Sequence, residues 1–301
     1  MLDRRAFMGG ALASLAGCAV GPVVSRRELP EPELRYLKTP RRGPATEVGR
    51  SQLELPQWPI RTPASYGETL PGMYRSDRFY RVISLTFDDG PRPETTPWIL
   101  DHLDEADVRA TFFVIGRRAH KHPDLIREIV RRGHVIGNHT YNHKVLSRLK
   151  SGTVAKQANM TDVAVAEALG RPYRLNYFRP PYGNPFIGGA NYNHSKARIK
   201  TVLRDQKRAL VMWNIASGDT AKARTFEAMA GNMRPYMRDG RGGVMVLHDT
   251  APWTARALPK LIRYLRDGGY EFRSLDGMLQ RKYGVRLQSC ATTPESLWVT
   301  A

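Results

Sequence analysis

From Tyr80 onward, short apolar runs alternate with amphipathic stretches. Val82-Ile83-Ser84-Leu85-Thr86-Phe87 is a β-prone run that stops at Asp88-Asp89-Gly90-Pro91. Thr96-Pro97 then reads as an N-cap with proline in the first helical position, and Trp98, Leu100 and Leu103 supply an apolar face. Residues 110–115 form a second strand candidate. Pro123 opens a helix with Leu125, Ile126, Ile129 and Val130 on one side, and Gly133 ends it. Val135-Ile136 is a third strand. Beyond it the pattern predicts helices over residues 153–169, 197–205, 226–237 and 255–267. Strands are predicted at 177–178, 209–213, 243–247 and 270–273. Repeated β-then-α units give an α/β fold, a distorted (β/α) barrel of about seven parallel strands, whose chemistry belongs at the carboxyl ends of the strands. Each polar cluster, Asp88-Asp89, His139, Arg179, residues 214–219 and His248-Asp249, follows a predicted strand.

The first 75 residues lack this texture. Arg4 and Arg5 precede an apolar stretch over residues 6–16, the layout of an export signal. Asp3-Arg4-Arg5-Ala6-Phe7-Met8 resembles a twin-arginine motif, with Asp3 where Ser or Thr is usual. Leu15-Ala16-Gly17-Cys18 resembles a bacterial lipobox, which makes Cys18 a lipidation site and leaves Cys290 without a disulfide partner in its own chain. Residues 19–75 hold nine of the 21 prolines and read as an extended tether. The expected organisation is an export signal over 1–18, a tether over 19–75, a folded domain over 76–285 and a tail over 286–301.

Composition narrows the classes. At 301 residues and 41% hydrophobic, the chain can bury a core, and no apolar run reaches the ~18 residues that span a bilayer. Two cysteines are too few for a disulfide scaffold or a Cys₄ zinc site. The net charge of +19 suits a polyanion. Its arginine pairs are scattered and no nucleic-acid-binding motif accompanies them, so an anionic envelope surface is the expected partner rather than nucleic acid.

Asp88 and Asp89 are adjacent acids at a strand end. On an extended chain they point to opposite sides, so one can bind a metal while the other handles protons. His139 and His143 are four apart, and one helical turn would bring both imidazoles to one ion. Two histidines and a carboxylate leave coordination positions open, the catalytic rather than the structural pattern.

Together these residues resemble the polysaccharide deacetylases of carbohydrate esterase family 4, the NodB-homology domains, over residues 81–278. Thr86-Phe87-Asp88-Asp89-Gly90-Pro91 is similar to the first family motif, and His139-Thr140-Tyr141-Asn142-His143 to the second. Arg179-Pro180-Pro181-Tyr182 is similar to the third, and Met245-Val246-Leu247-His248 to the fifth. The fourth motif departs: Asp219 is kept, but Ala216 and Thr220 stand where an aspartate and a groove-wall tryptophan are usual. Residues 184–194 read as an inserted loop, with Phe186 or Tyr192 as candidate sugar-stacking residues.

The resemblance implies hydrolysis of the acetamide of an acetylated amino-sugar polymer. Asp89, His139 and His143 would hold a divalent metal, zinc by preference. Asp88 would be the general base, paired with Arg179. Tyr182 would offer its backbone N–H to the oxyanion. His248 would protonate the leaving amine, oriented by Asp219. Leu247 and Trp213 would line a pocket for the acetyl methyl. The expected location is the bacterial envelope, reached by export and held by a lipid anchor at Cys18.

Overall fold

The computed structural model describes residues 72–73, 79–187, 190–220 and 223–283. The export signal, Cys18, the tail and most of the tether lie outside the described residues.

Strand β2 (Val82–Asp88) is buried at every position, which requires cover on both faces. It pairs in parallel with β8 (Arg241–His248) from Ile83↔Gly243 to Asp88↔His248. On its other side lies β3 (Thr111–Val114), followed by β4 (Val135–Asn138), β5 (Tyr177–Phe178) and β6 (Ala209–Leu210), all parallel. A short β1 (Phe79–Tyr80) runs antiparallel to β8, giving the order β1-β8-β2-β3-β4-β5-β6. Off this path, β7 (Ile215–Ala216) pairs with β8 and β9 (Glu271–Phe272) with β2. The helices are α1 (Thr96–Glu105), α2 (Gly116–Lys121), α3 (Pro123–Arg131), α4 (Ser151–Leu169), α5 (Asn193–Asp205), α6 (Phe226–Met233), α7 (Pro252–Asp267) and α8 (Leu275–Tyr283). This is the distorted, mostly parallel (β/α) barrel that the alternation predicts.

Side-chain alternation explains how one apolar run serves two layers. Ile83, Leu85 and Phe87 join the larger core cluster, with Leu100 and Leu103 of α1, Ile126 and Ile129 of α3 and Leu258 and Leu261 of α7. Burying each such side chain contributes about 1.5–3 kcal/mol. The intervening Ser84, Thr86 and Asp88 take the other face, where Val82 joins Phe113, Tyr177 and Val244 and α8 contributes Leu275, Met278 and Leu279. The register then aligns the strand ends: Asp88 opposite Phe113 and His248, Val114 opposite Asn138, and Asn138 opposite Phe178. His139 and Arg179 follow one residue later on the same rim.

Four elements escape the sequence pattern: α2, α8, β1 and β7. Helix α2 buries only Gly116 and Ala119, too little for an apolar period to show. Of the other helices, α5 starts earlier than expected, at Asn193, because its first turn is polar, and α6 stops at Met233 rather than at 237, where a 3₁₀ turn containing Pro235 follows. Gly170 closes α4 in the left-handed region (φ 64), which costs glycine nothing sterically.

A buried residue also lies upstream of the expected boundary at residue 76. Met73 is 1% exposed and forms a parallel bridge with Val211, just past β6. Its N–H donates to the Leu210 carbonyl at 2.9 Å, and its carbonyl accepts from Met212 at 2.7 Å. The predicted strand over 209–213 therefore ends early and finds its partner upstream of the expected domain. Met73→Ala is expected to cost about 2–5 kcal/mol of unfolding free energy, read as a lower urea midpoint at unchanged slope. An unmoved midpoint would show that residue 73 does not help close this edge.

Candidate functional site

Asp88 ends β2, and Asp89 follows with φ at 77°. That left-handed turn breaks the strand's alternation, so the two carboxylates do not diverge as an extended chain would make them. Asp88 Oδ2 and Asp89 Oδ1 lie 3.9 and 3.5 Å from the same atom, His139 Nε2. His143 Nε2 is 3.0 Å from Asp89 Oδ1.

The two histidines are not on a helix. His139 leaves the end of β4 into a loop in which Thr140 (φ 65) and His143 (φ 58) are both left-handed. Thr140 N–H donates to Asn138 Oδ1 at 2.9 Å, and Thr140 Oγ1 accepts from His143 N–H at 3.1 Å. The four-residue spacing is compatible with a helical turn, but side-chain caps wind it into this loop instead. Asp89, Thr140, His143 and Tyr182 are four of the eight non-glycine residues with positive φ among the described residues. Such backbone costs of order 1–3 kcal/mol per residue and persists where surroundings over-determine it.

The three side chains fit a metal. Asp89, His139 and His143 each place a ligand atom within 4.8 Å of the others. His139 Nδ1 donates to the Arg179 carbonyl at 2.8 Å, which leaves the Nε2 lone pair facing the cluster. Asp89 Oδ1 is buried and, although two imidazole nitrogens face it, neither is aligned as a hydrogen-bond donor. A carboxylate oxygen and two imidazole nitrogens that converge without an aligned hydrogen bond between them are what a cation would satisfy. Burial by itself raises the Asp89 carboxyl, but His139 and His143 outweigh it and hold the group well below the usual carboxylate range.

Arg179 has no exposed surface. Its Nη1 lies 2.7 Å from both Asp88 Oδ1 and Thr86 Oγ1, and its Nε donates to the Val211 carbonyl at 3.2 Å. The guanidinium covers the Phe113 ring at 4.1 Å and faces Trp213 at 5.6 Å. Burial pulls it below its ordinary value and Asp88 opposes that pull.

Across the rim, His248 Nδ1 lies 2.8 Å from Asp219 Oδ1, and its backbone N–H donates to Asp219 Oδ2 at 2.7 Å. Thr254 Oγ1 donates to the same Oδ2 at 2.7 Å, and Trp253 Nε1 to the Asp219 carbonyl at 2.6 Å. Burial pulls the imidazole down, but the Asp219 hydrogen bond and charge, helped by Asp88 and Asp89, push it up to about 9. At neutral pH His248 carries a proton.

Tyr182 sits at φ 58 in a 3₁₀ turn, 63% exposed, its ring edge-on to His143 at 4.5 Å. Trp213 is half-buried beneath this turn, where a Cβ on Gly183 would lie 2.9 Å from its Cη2. Leu247 exposes nothing and packs in the larger core cluster, so it offers a substrate no surface in this conformation. The stretch read as an inserted loop is partly helix, since α5 begins at Asn193. Phe186 is half-buried, with one side packed against the cluster of Leu146, Val154 and Ile199. Tyr192 remains exposed.

Sequence reasoning gave no role to Thr86, Asn138 or Asp249. Thr86 and Asn138 are polar residues inside apolar strands, a legible signal. Asp249 is buried, accepts from Thr96 Oγ1 at 2.7 Å, and is pushed up to about 7, chiefly by burial. Its carboxyl lies so close to the turn after Asp89 that a Cβ on Gly90 would be 1.9 Å from its Oδ2, which requires glycine there.

The sequence model of the family described as polysaccharide deacetylase matches residues 76–205. The chain is 33% identical over 204 residues to the peptidoglycan-N-acetylmuramic acid deacetylase PdaC of Bacillus subtilis, covering 67% of this chain and 40% of that protein. It thus spans well under half the length of that relative. It is 30% identical over 224 residues to a peptidoglycan-N-acetylglucosamine deacetylase of Bacillus cereus, covering 73% of this chain and 76% of the relative. The solved structure of the B. subtilis peptidoglycan deacetylase PdaC superposes with a TM-score of 0.53 at 30% identity, over 68% of this chain and 98% of that one. With that likeness running through the strand ends that carry Asp89, His139 and His143, the chain belongs to the polysaccharide deacetylase family.

Proposed function

We propose that this protein is a metal-dependent N-deacetylase that hydrolyses the acetamide of N-acetylglucosamine-type residues in an envelope polysaccharide and releases acetate. The observation that carries this reading is the meeting of three groups on one rim. These are a carboxylate held by a buried arginine, two histidines that converge on a second carboxylate, and a histidine held by a buried aspartate. The relatives' activities on peptidoglycan, together with the +19 charge, favour peptidoglycan as the polymer.

Asp89, His139 and His143 would hold the ion, zinc by preference for a His₂-carboxylate set. A bound zinc ion supplies Lewis acidity for the acetamide oxygen and for an attacking water. Asp88 takes the water's proton at its Oδ2, because Oδ1 is engaged by Arg179. Arg179 fixes the direction of the Asp88 carboxylate through its Nη1–Oδ1 contact. The Tyr182 N–H donates to the acetamide oxygen as it gains negative charge. His248 passes its proton to the departing amine nitrogen, and Asp219 keeps the imidazole charged and aimed. Trp213 flanks the acetyl group from beneath the Tyr182 turn. The Arg4-Arg5 signal and Cys18 would export the protein and anchor it by lipid in the envelope. Among the described residues no helix is long and apolar enough to cross a membrane.

Acetate release from N-acetylglucosamine oligomers and from peptidoglycan tests the activity, and a purified, zinc-loaded protein inactive on both would overturn it. His139→Ala or His143→Ala should leave well under one equivalent of zinc and no turnover. Asp88→Asn should keep zinc while kcat falls by about 10²-fold or more, whereas Asp89→Asn should weaken zinc itself. Equal zinc loss in the two aspartate variants would refute the division of roles.

The His248 proton sets a pH limit. A donor must be protonated, so activity should persist at neutral pH and fall as pH rises through about 9. Removing the Asp219 charge removes what raises the value, so Asp219→Asn should move the alkaline limb of kcat to lower pH. A limb that stays in place would assign the proton donor elsewhere.

Anchoring is read by fractionation. Cys18→Ser should leave the membrane fraction, with acetate release by the soluble protein unchanged. Retention of that variant in the membrane fraction would show that the lipobox likeness is fortuitous.

A further inference from the structure

Behind the histidine loop runs a buried polar chain that no step of the reaction uses. Asn138, wholly buried at the end of β4, donates from Nδ2 to Asp162 Oδ1 at 2.9 Å and to the Ala158 carbonyl at 2.8 Å. Asp162 is buried on α4. Arg208, buried just before β6, reaches its Oδ1 from Nη1 at 3.1 Å and its Oδ2 from Nη2 at 2.8 Å. Arg208 Nη1 also donates to the Leu175 carbonyl at 2.8 Å, ahead of β5. Three successive units of the barrel are thereby fastened to the last residue before His139.

The chemistry of this chain has a direction. Burial pushes Asp162 up from the usual carboxylate value and Arg208 opposes it. With Oδ1 accepting from Asn138 and Arg208, and Oδ2 from Arg208, the carboxylate acts as an acceptor only. It therefore selects the amino end of the Asn138 amide. The oxygen end is left for Thr140 N–H, and that bond holds Thr140 in its left-handed conformation. Thr140 in turn caps the N–H of His143. If the amide turned over, two N–H groups would face each other, an unpaired donor in a buried site.

We propose that Asp162, with Arg208 as its counter-charge, is a positioning residue for the Asp89–His139–His143 pocket. By fixing the orientation of the Asn138 amide it fixes the His139–Thr140 turn. The inference rests on the metal reading of that pocket.

The test is zinc affinity of the folded, full-length protein, measured by competition with a chromogenic chelator, with circular dichroism and thermal melting alongside. Asn138→Asp sets two carboxylates against each other, and Asp162→Asn faces Arg208 or Asn138 with the wrong group. Each should weaken zinc by about 10-fold or more, the size expected when an outer partner of a metal ligand is lost. Met73→Ala, which loosens the sheet edge without touching this chain, should lower the melting temperature and bind zinc within about threefold of the parent. If the Asn138 and Asp162 variants melt earlier but bind zinc like the parent, or if Met73→Ala loses zinc affinity as they do, the positioning role is overturned. If Asn138→Asp does not fold, Asp162→Asn against Met73→Ala decides the same question. A parent protein that takes up no zinc would overturn the metal reading and this inference together, whereas unaltered affinity in the variants overturns the inference alone.

Discussion

One buried arginine organises the interior of this barrel. Removing a guanidinium from water costs several kcal/mol, and the charge must be met on the spot. Arg179 is met by Asp88, Thr86, the Val211 carbonyl and the face of Phe113. Deleting one member of such a pair typically costs 3–5 kcal/mol, because the partner is left buried and uncompensated. The same contacts account for Thr86 and Asp88, rather than apolar residues, on that face of β2. Stability and the proposed chemistry therefore draw on the same carboxylate, whose second oxygen stays 3.9 Å from His139.

The rim is assembled against local preference. Asp89, Thr140, His143 and Tyr182 all occupy left-handed backbone, and threonine is among the residues least suited to it. Compensation comes from side-chain oxygens that take the freed N–H groups: Asn138 for Thr140, and Thr140 for His143. The strained turns bring Asp89, His139 and His143 to one point, which regular strand or helix geometry would not do with these residues.

Neighbouring groups at the end of β8 are tuned by opposite logic. His248 is held charged by Asp219 despite its burial. Asp249, the next residue, is pushed up to about 7 by burial and offered only the Thr96 hydroxyl by its neighbours. Side chains that are adjacent in the chain point to different sides of the strand end, so one serves the open rim and the other packs beneath the Gly90 turn. The difference lies in the partner: a carboxylate in one case, a neutral hydroxyl in the other.

The strands and helices with buried apolar faces were legible from the sequence, because burial imposes periods of two and about 3.6 on β2, α3 and α7. The placement of polar residues after strands was legible too, since parallel strands end on one side of the barrel. Helix α2, with two buried small residues, carried no such period, and Met73 looked like tether because one buried residue makes no pattern. The spacing of His139 and His143 suited a helix as well as a loop, and only the Asn138 and Thr140 caps decided between them. The Asp162–Arg208 chain, the reach of Asp249 to Gly90 and the packing of Phe186 are likewise absent from any local pattern. Local periodicity records which face of an element is dry. Contacts between residues tens of positions apart depend on how the faces are stacked, and that is decided only when the sheet closes.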